Sequence, residues 1–401
     1  MHIHKSRSLR GLDFINFTLA DVRDGIGPFL GIYLLSSQHW NLRDIGIATS
    51  LATFAGVLVQ TPAGAFVDRF TNKKIIVGIA SLLIGTGTLL ILFEPSREVV
   101  LISQVIVGIA STFIAPSIAA ITLGLVGYKK LEQRTGRNEM FNHGGNVTSA
   151  LISGVIGYYL GLQAIFIFTF LLSATSVVFL RFIDNDQVDY QLSRGSLSTE
   201  KKHGLKSSKG IITNPLFLIF TTCCVLYHFA NAAMLPLAGQ YIVSANNVDA
   251  SVYMSACIVI AQLVMVPTAA WSSRKSKSGR KWLMLVCFAA LPIRGILYTL
   301  SPDPYFITSV QILDGLSAGI FGVVSILIVA DLTKGSGHFN LANGILITAV
   351  GLGASLSNAA GGYIANTFSF RYAFLFLSAT AALAFVICLL FMKETYDLKS
   401  Q

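Results

Sequence analysis

Asp21, Arg23 and Asp24 interrupt "TLADVRDGIGPFLGIYLL" (18–35), a stretch that otherwise reads as an apolar helix. A charge at a bilayer centre costs roughly 2.5–3.5 kcal/mol on insertion scales, so such a cluster needs a partner or a task. Asp21 and Asp24 are spaced i,i+3 and share a helix face, with Arg23 on the flank. A carboxylate in this setting can take up and release a proton, and Arg23 can hold a carboxylate or an anionic solute. An Arg–Asp pair that only locks helix packing is the alternative. A second cluster, Glu139, Asn142, His143 and Asn146, has i, i+3, i+4, i+7 spacing and forms one polar stripe. Histidine is the side chain suited to a proton relay at physiological pH, and His143 is the candidate here. Its alternative is hydrogen bonding between helices. "LYHFANAAMLPLAGQY" presents Tyr227, His228 and Asn231 at helical spacing, which suits either solute recognition or a structural histidine. Asp314 in "QILDGLSAGIFG" is a further coupling candidate, with Arg294 as its partner or as a side chain that snorkels outward. Asn358 is a weaker candidate for lining a solute site.

These residues have to be carried by membrane helices. Of 401 residues, 53% are hydrophobic and only 12% charged, about half the charged share of a soluble domain. A spanning helix takes about 20 apolar residues. Twelve segments qualify: about 12–36, 42–67, 75–93, 99–127, 139–160, 162–183, 214–243, 250–273, 282–300, 304–333, 339–365 and 369–392. If both termini are cytoplasmic, only Arg43, Arg97 and Arg371 of the 29 Lys and Arg residues fall at or beyond the outer ends of spans; Arg23 and Arg294 lie deep within spans, and the rest lie at or beyond the inner ends. That asymmetry is the positive-inside pattern, and it accounts for the net charge of +10 without a nucleic-acid partner. The polar stretch 184–213 separates an N-terminal six-helix bundle (1–183) from a C-terminal one (214–401) and reads as a cytoplasmic linker. The halves repeat: 136–174 aligns without a gap onto 341–379, matching Asn138 with Asn343, Gly157 with Gly362 and Tyr158 with Tyr363. The expected fold is therefore all-α: twelve transmembrane helices in two pseudo-symmetric six-helix bundles.

After the second span comes "GAFVDRFTNKK", with Gly64, Asp68, Arg69, Lys73 and Lys74. It resembles the Gly-x-x-x-Asp-Arg-x-Gly-Arg-Lys signature of the major facilitator superfamily, with Thr71 and Asn72 in place of the second Gly and the Arg. The corresponding loop after span eight, "SSRKSKSGRK", keeps Gly279, Arg280 and Lys281 and has no Asp. The resemblance implies an alternating-access secondary transporter in which Gly64, Asp68, Arg69 and Lys73 belong to a cytoplasmic gate. Two features of the family's exporters are missing. Gln104 stands where they carry an Arg before Gly108, and "SGVIGYYLG" (153–161) has no Pro.

Catalytic and phosphate-binding patterns are absent from the sequence, as are metal-ligand spacings, so neither an enzyme nor a cofactor is expected. The five cysteines lie in apolar runs and read as packing residues. The reading that follows is proton-coupled efflux of a small polar or anionic organic solute such as a siderophore, a metabolite or a drug. Proton-symport uptake is the alternative, and a non-transporting receptor a remote one. The expected partners are solute, protons and lipid, for a monomer in the bacterial inner membrane.

Overall fold

Gly27 takes a positive φ of 47°, and Pro28 opens the next helix with its fixed φ. The first apolar segment is thereby divided into α1 (His2–Val22) and α2 (Pro28–Ser36). The structure, a computed structural model, describes residues 2–23, 26–193, 213–246, 248–334 and 339–396. Asp24, Gly25 and most of the 184–213 stretch lie outside the described residues.

The helices continue as α3 (Leu42–Arg69), α4 (Lys73–Phe93), α5 (Arg97–Val126), α6 (Tyr128–Leu160), α7 (Gln163–Leu180) and the short α8 (Tyr190–Ser193). Then come α9 (Pro215–Ala232), α10 (Met234–Ala245), α11 (Ala250–Lys275), α12 (Lys281–Tyr298), α13 (Pro304–Leu332), α14 (Phe339–Thr367) and α15 (Phe370–Phe391). No strand occurs among the described residues.

Local sequence sets several of these boundaries. Asn214, Asp249 and Asp303 accept backbone N–H groups at the starts of α9, α11 and α13, and Pro215 and Pro304 occupy first-turn positions where a missing N–H costs nothing. The seventh expected span divides at Ala233, whose N–H donates to Ser357 Oγ of α14 at 2.9 Å. The break leaves this donor satisfied, as apolar surroundings require.

Ten helical segments among the described residues are long and apolar enough to cross a membrane. Expected spans one and five fall outside this set. Both are helical, but α1 and α6 carry polar and basic stretches in "HIHKSRSLRGLD" and "YKKLEQRTGRNEMFNHGGN". The fifth segment begins well before its expected start, placing Arg134 and Arg137 on a helix instead of in a loop.

The described helices group into two units: Met1–Tyr33 with Leu51–Lys201, and Leu34–Ser50 with Lys202–Gln401. Within the first, α1 packs on α6 and α7, and α4 on α5 and α7. Its core is built from Leu12, Ile15 and Leu19 of α1, Val77 and Ile84 of α4, and Val107, Ile114 and Ile121 of α5. Within the second, α9 packs on α14 and α15, and α12 on α13 and α15. This is the same pairing order, so the internal sequence repeat has a counterpart in the packing of each half. Small residues permit close approach: a Cβ on Gly108 would lie 2.0 Å from the Ala52 carbonyl oxygen, and one on Gly315 2.4 Å from that of Ala261.

Candidate functional site

Three helices of the second unit carry a buried polar network. α12 places Arg294 and Tyr298 one turn apart, and α13 places Gln311, Asp314, Ser317 and Phe321 along one face. α9 contributes Tyr227, His228 and Asn231.

Arg294 is 1% exposed and organises the network. Its Nε donates to the Tyr298 hydroxyl at 2.8 Å, and Nη1 donates to Asn231 Oδ1 at 2.8 Å and to Asp314 Oδ1 at 2.7 Å. Nη2 donates to Gln311 Oε1 at 2.9 Å, and Gln311 Nε2 donates to the Tyr298 hydroxyl at 2.6 Å. Four of the five guanidinium N–H groups are thus engaged. Asp314 is paired, and its partner is Arg294, one of the two arrangements the sequence left open for that arginine. The ion pair compensates both charges where an uncompensated one would be costly.

The network is closed on one side and open on the other. Asp314 keeps 18% of its side chain exposed, and its Oδ2 has no partner among the described residues. The Asn231 amide nitrogen makes no hydrogen bond within the described structure. Neither ring nitrogen of His228 does, and its Nε2 is buried. Tyr227 does not bond Asn231, the contact its spacing allows; its hydroxyl pairs with Ser317 Oγ. Its ring stacks on Phe321 at 5.1 Å, and the His228 ring meets Phe321 edge-on at 4.7 Å.

The first unit has its own charged cluster, which sequence reasoning missed. Asp13 of α1 is buried and receives Arg134 Nη2 at 2.6 Å, Arg137 Nη2 at 2.8 Å and Arg137 Nε at 3.0 Å. Arg134 Nε also donates to Asn138 Oδ1, and Asn138 Nδ2 to Thr122 Oγ1 of α5. Burial pushes the Arg134 guanidinium below its ordinary pKa despite the Asp13 charge; hydrogen bonding to Asp13 raises that of the exposed Arg137. A basic pair three apart and a lone acid in the first helix, 121 and 124 residues away, were the available signal. It was absorbed into the count of inside charges.

The two signature loops differ. Asp68 and Arg69 are exposed at the end of α3, and Gly64 has open space where a Cβ would project. Lys73 is buried and donates to the Phe70 carbonyl at 3.0 Å. In the second loop, Arg280 and Lys281 meet acids from other parts of the chain. Arg280 Nε donates to Asp331 Oδ2 at 3.1 Å, and its guanidinium lies over the Tyr396 ring at 4.7 Å. Glu394, beyond α15, accepts the backbone N–H groups of Arg280 at 2.7 Å and Lys281 at 3.1 Å, as well as those of Thr395 and Tyr396. Burial works against its charge, but these donors hold its carboxyl below the ordinary value.

The remaining predicted residues stand apart from the Arg294 network. Asp21 lies in the last turn of α1 and Arg23 just beyond it, both half-buried and both with partners. Asp24 lies outside the described residues, so the predicted Asp21–Asp24 face is not formed from described side chains. On α6, Asn142 Nδ2 reaches Glu139 Oε2 at 3.4 Å; His143 and Asn146 are half-buried on the same helix. Asn358 of α14 brings its backbone carbonyl against Gly46 of α3, both in the second unit.

Comparison with known proteins follows the same architecture. The Major Facilitator Superfamily model matches residues 12–291 and 275–401. An uncharacterized MFS-type transporter of Mycobacterium tuberculosis, recorded in strains CDC 1551 / Oshkosh and ATCC 25618 / H37Rv, is 41% identical over 394 residues, 98% of this chain and 94% of its own. The nucleoside transporter NupG superposes with a TM-score of 0.79 at 15% identity, covering 97% of this chain and 100% of its own. A D-xylose-proton symporter superposes with a TM-score of 0.74 at 12% identity, covering 98% and 99%. At these identities the two structures speak for the fold alone.

Proposed function

The chain belongs to the Major Facilitator Superfamily, and from that premise we propose that it is a secondary active transporter exchanging a small polar organic solute for protons, in the direction of export. The solute site, in this reading, is the open side of the Arg294 network, exposed to each side of the membrane in turn. The observation that carries it is the Asp314 carboxylate, with one oxygen held by Arg294 and the other open. A proton and a hydrogen-bond donor from a solute compete for that open oxygen. Binding of one therefore favours release of the other, which is the logic of exchange. His143 and the carboxylates Asp21 and Asp24 are further candidates for proton handling, and Arg23, Asn142, Asn146 and Asn358 for solute contact. Gly64, Asp68, Arg69 and Lys73 are assigned to a gate on the cytoplasmic side, with both termini on that side of a bacterial inner membrane.

Uptake by proton symport is the second reading, and one of the structural neighbours is a proton symporter by its description. Sealed vesicles containing the purified chain separate the two. With an imposed proton gradient, solute should move against the proton flow for export and with it for uptake. In either case Asp314→Asn should abolish the coupling.

A further inference from the structure

We propose that the open side of the Arg294 network selects an uncharged solute carrying both hydrogen-bond donors and acceptors, and rejects anions; this rests on the transporter reading and names its substrate class. Arginine in a solute site ordinarily suggests an anion, but here four of the five guanidinium N–H groups are engaged and the side chain is buried. It is 1% exposed, and its donors go to Tyr298, Asn231, Asp314 and Gln311. An anion cannot reach it at 1% exposure without displacing one of these partners.

The groups left open have a different character. Asp314 Oδ2 is an acceptor, the Asn231 amide nitrogen offers two donors, and the His228 ring adds nitrogens without a partner, of which Nε2 is buried. His228 and Asn231 are spaced i,i+3 on α9, and Asp314 and Phe321 i,i+7 on α13, so each pair shares a helix face. Arg294 Nη1 ties Asn231 to Asp314, and the His228 ring lies 4.7 Å from that of Phe321. These contacts make the four side chains neighbours. Among these four side chains the formal charge is that of Asp314, and it is already balanced by Arg294. An anion there meets like charge in a low dielectric, while a cation leaves the balanced pair with a net surplus. A hydroxyl- or amide-bearing neutral molecule satisfies the open groups without adding charge.

The test is a binding titration of the full chain in detergent, read by thermal shift, with matched probes: glucose, glucuronate and glucosamine; uridine and uridine monophosphate; nicotinamide and nicotinate. The expected result is a saturable shift from at least one uncharged member, with its charged counterparts weaker by roughly tenfold or more. Asn231→Leu and His228→Phe should each weaken that binding while the unliganded melting stays cooperative. Should one of them fail to fold, the other and the probe series itself still decide. Tighter binding of a charged member, or no shift from any uncharged probe at millimolar concentration, overturns the inference. Any binder is then tested for flux in sealed vesicles. A charged molecule that binds and drives proton flux overturns the selectivity and leaves the transporter reading standing. An uncharged molecule that binds without any flux does the reverse.

Discussion

Arg294 and Asp314 meet at 2.7 Å from neighbouring helices, one 1% exposed and the other 18%. The inequality has a consequence. Replacing Asp314 leaves a guanidinium that cannot reach water, whereas replacing Arg294 leaves a carboxylate that keeps an open oxygen. Removing one partner of a buried pair costs about 3–5 kcal/mol, so Asp314→Leu should sit in that range and Arg294→Met below it. The double substitution should recover much of the loss. Chemical denaturation in detergent across the four proteins gives the cycle; equal single losses with no recovery would show that the two side chains do not act as a pair.

Asp13 joins two arginines of unequal standing. Arg134 is 7% exposed and Arg137 53%. Arg134→Ala removes the buried partner and should cost about 3–5 kcal/mol. Arg137→Ala removes a solvent-screened partner and should cost no more than about 1 kcal/mol. Thermal melting of the two variants checks the order, and a reversed order would move the weight of the cluster to its exposed side.

Glu394 gives a pH dependence with a defined sign. Its folded pKa is depressed, by four backbone donors acting against burial. Its contribution is therefore fully present above the ordinary glutamate range, about 4.3, and is lost as pH falls through the lower folded value. Wild type should melt above Glu394→Gln at neutral pH, and the two should converge in acid. A gap that is constant with pH would mean that the carboxylate charge is not what holds the segment after α15 to the start of α12.

Gly315 adjoins Asp314 at the α11–α13 crossing. An added Cβ would lie 2.4 Å from the Ala261 oxygen and 2.7 Å from Val264 Cβ, so α13 must shift. Overpacking of this kind costs about 1–3 kcal/mol. Gly315→Ala should lower both the melting temperature and the transport rate, since the displaced helix carries the carboxylate. Unchanged transport would show that the position of α13 at this level is not critical.

Much of this architecture is legible in the sequence, and the reasons vary by element. Length and apolarity located the helices, because hydrocarbon thickness imposes them directly. Asp314, Arg294 and Asn231 stood out because such groups are costly among apolar neighbours. Gln311 and Tyr298 did not, since neither residue is unusual in an apolar helix, and only the fold brings them onto Arg294. Asp13 escaped notice because it lies near the start of the first span, where charge is ordinary, and its partners are 121 and 124 residues away. Glu394 was invisible for a similar reason: its role as acceptor for the start of α12 depends on where α15 ends. The break at Gly27 and Pro28 was readable from residue type, whereas the extension of α6 back to Tyr128 ran against its polar composition.

The central claim is that Asp314 couples solute to protons. Proton flux in sealed vesicles, driven by an outward or inward gradient of a binding solute, measures it most directly. Wild type should show solute-dependent flux, and Asp314→Asn should move no protons even at high solute concentration. Full proton flux in a folded Asp314→Asn protein would contradict the account.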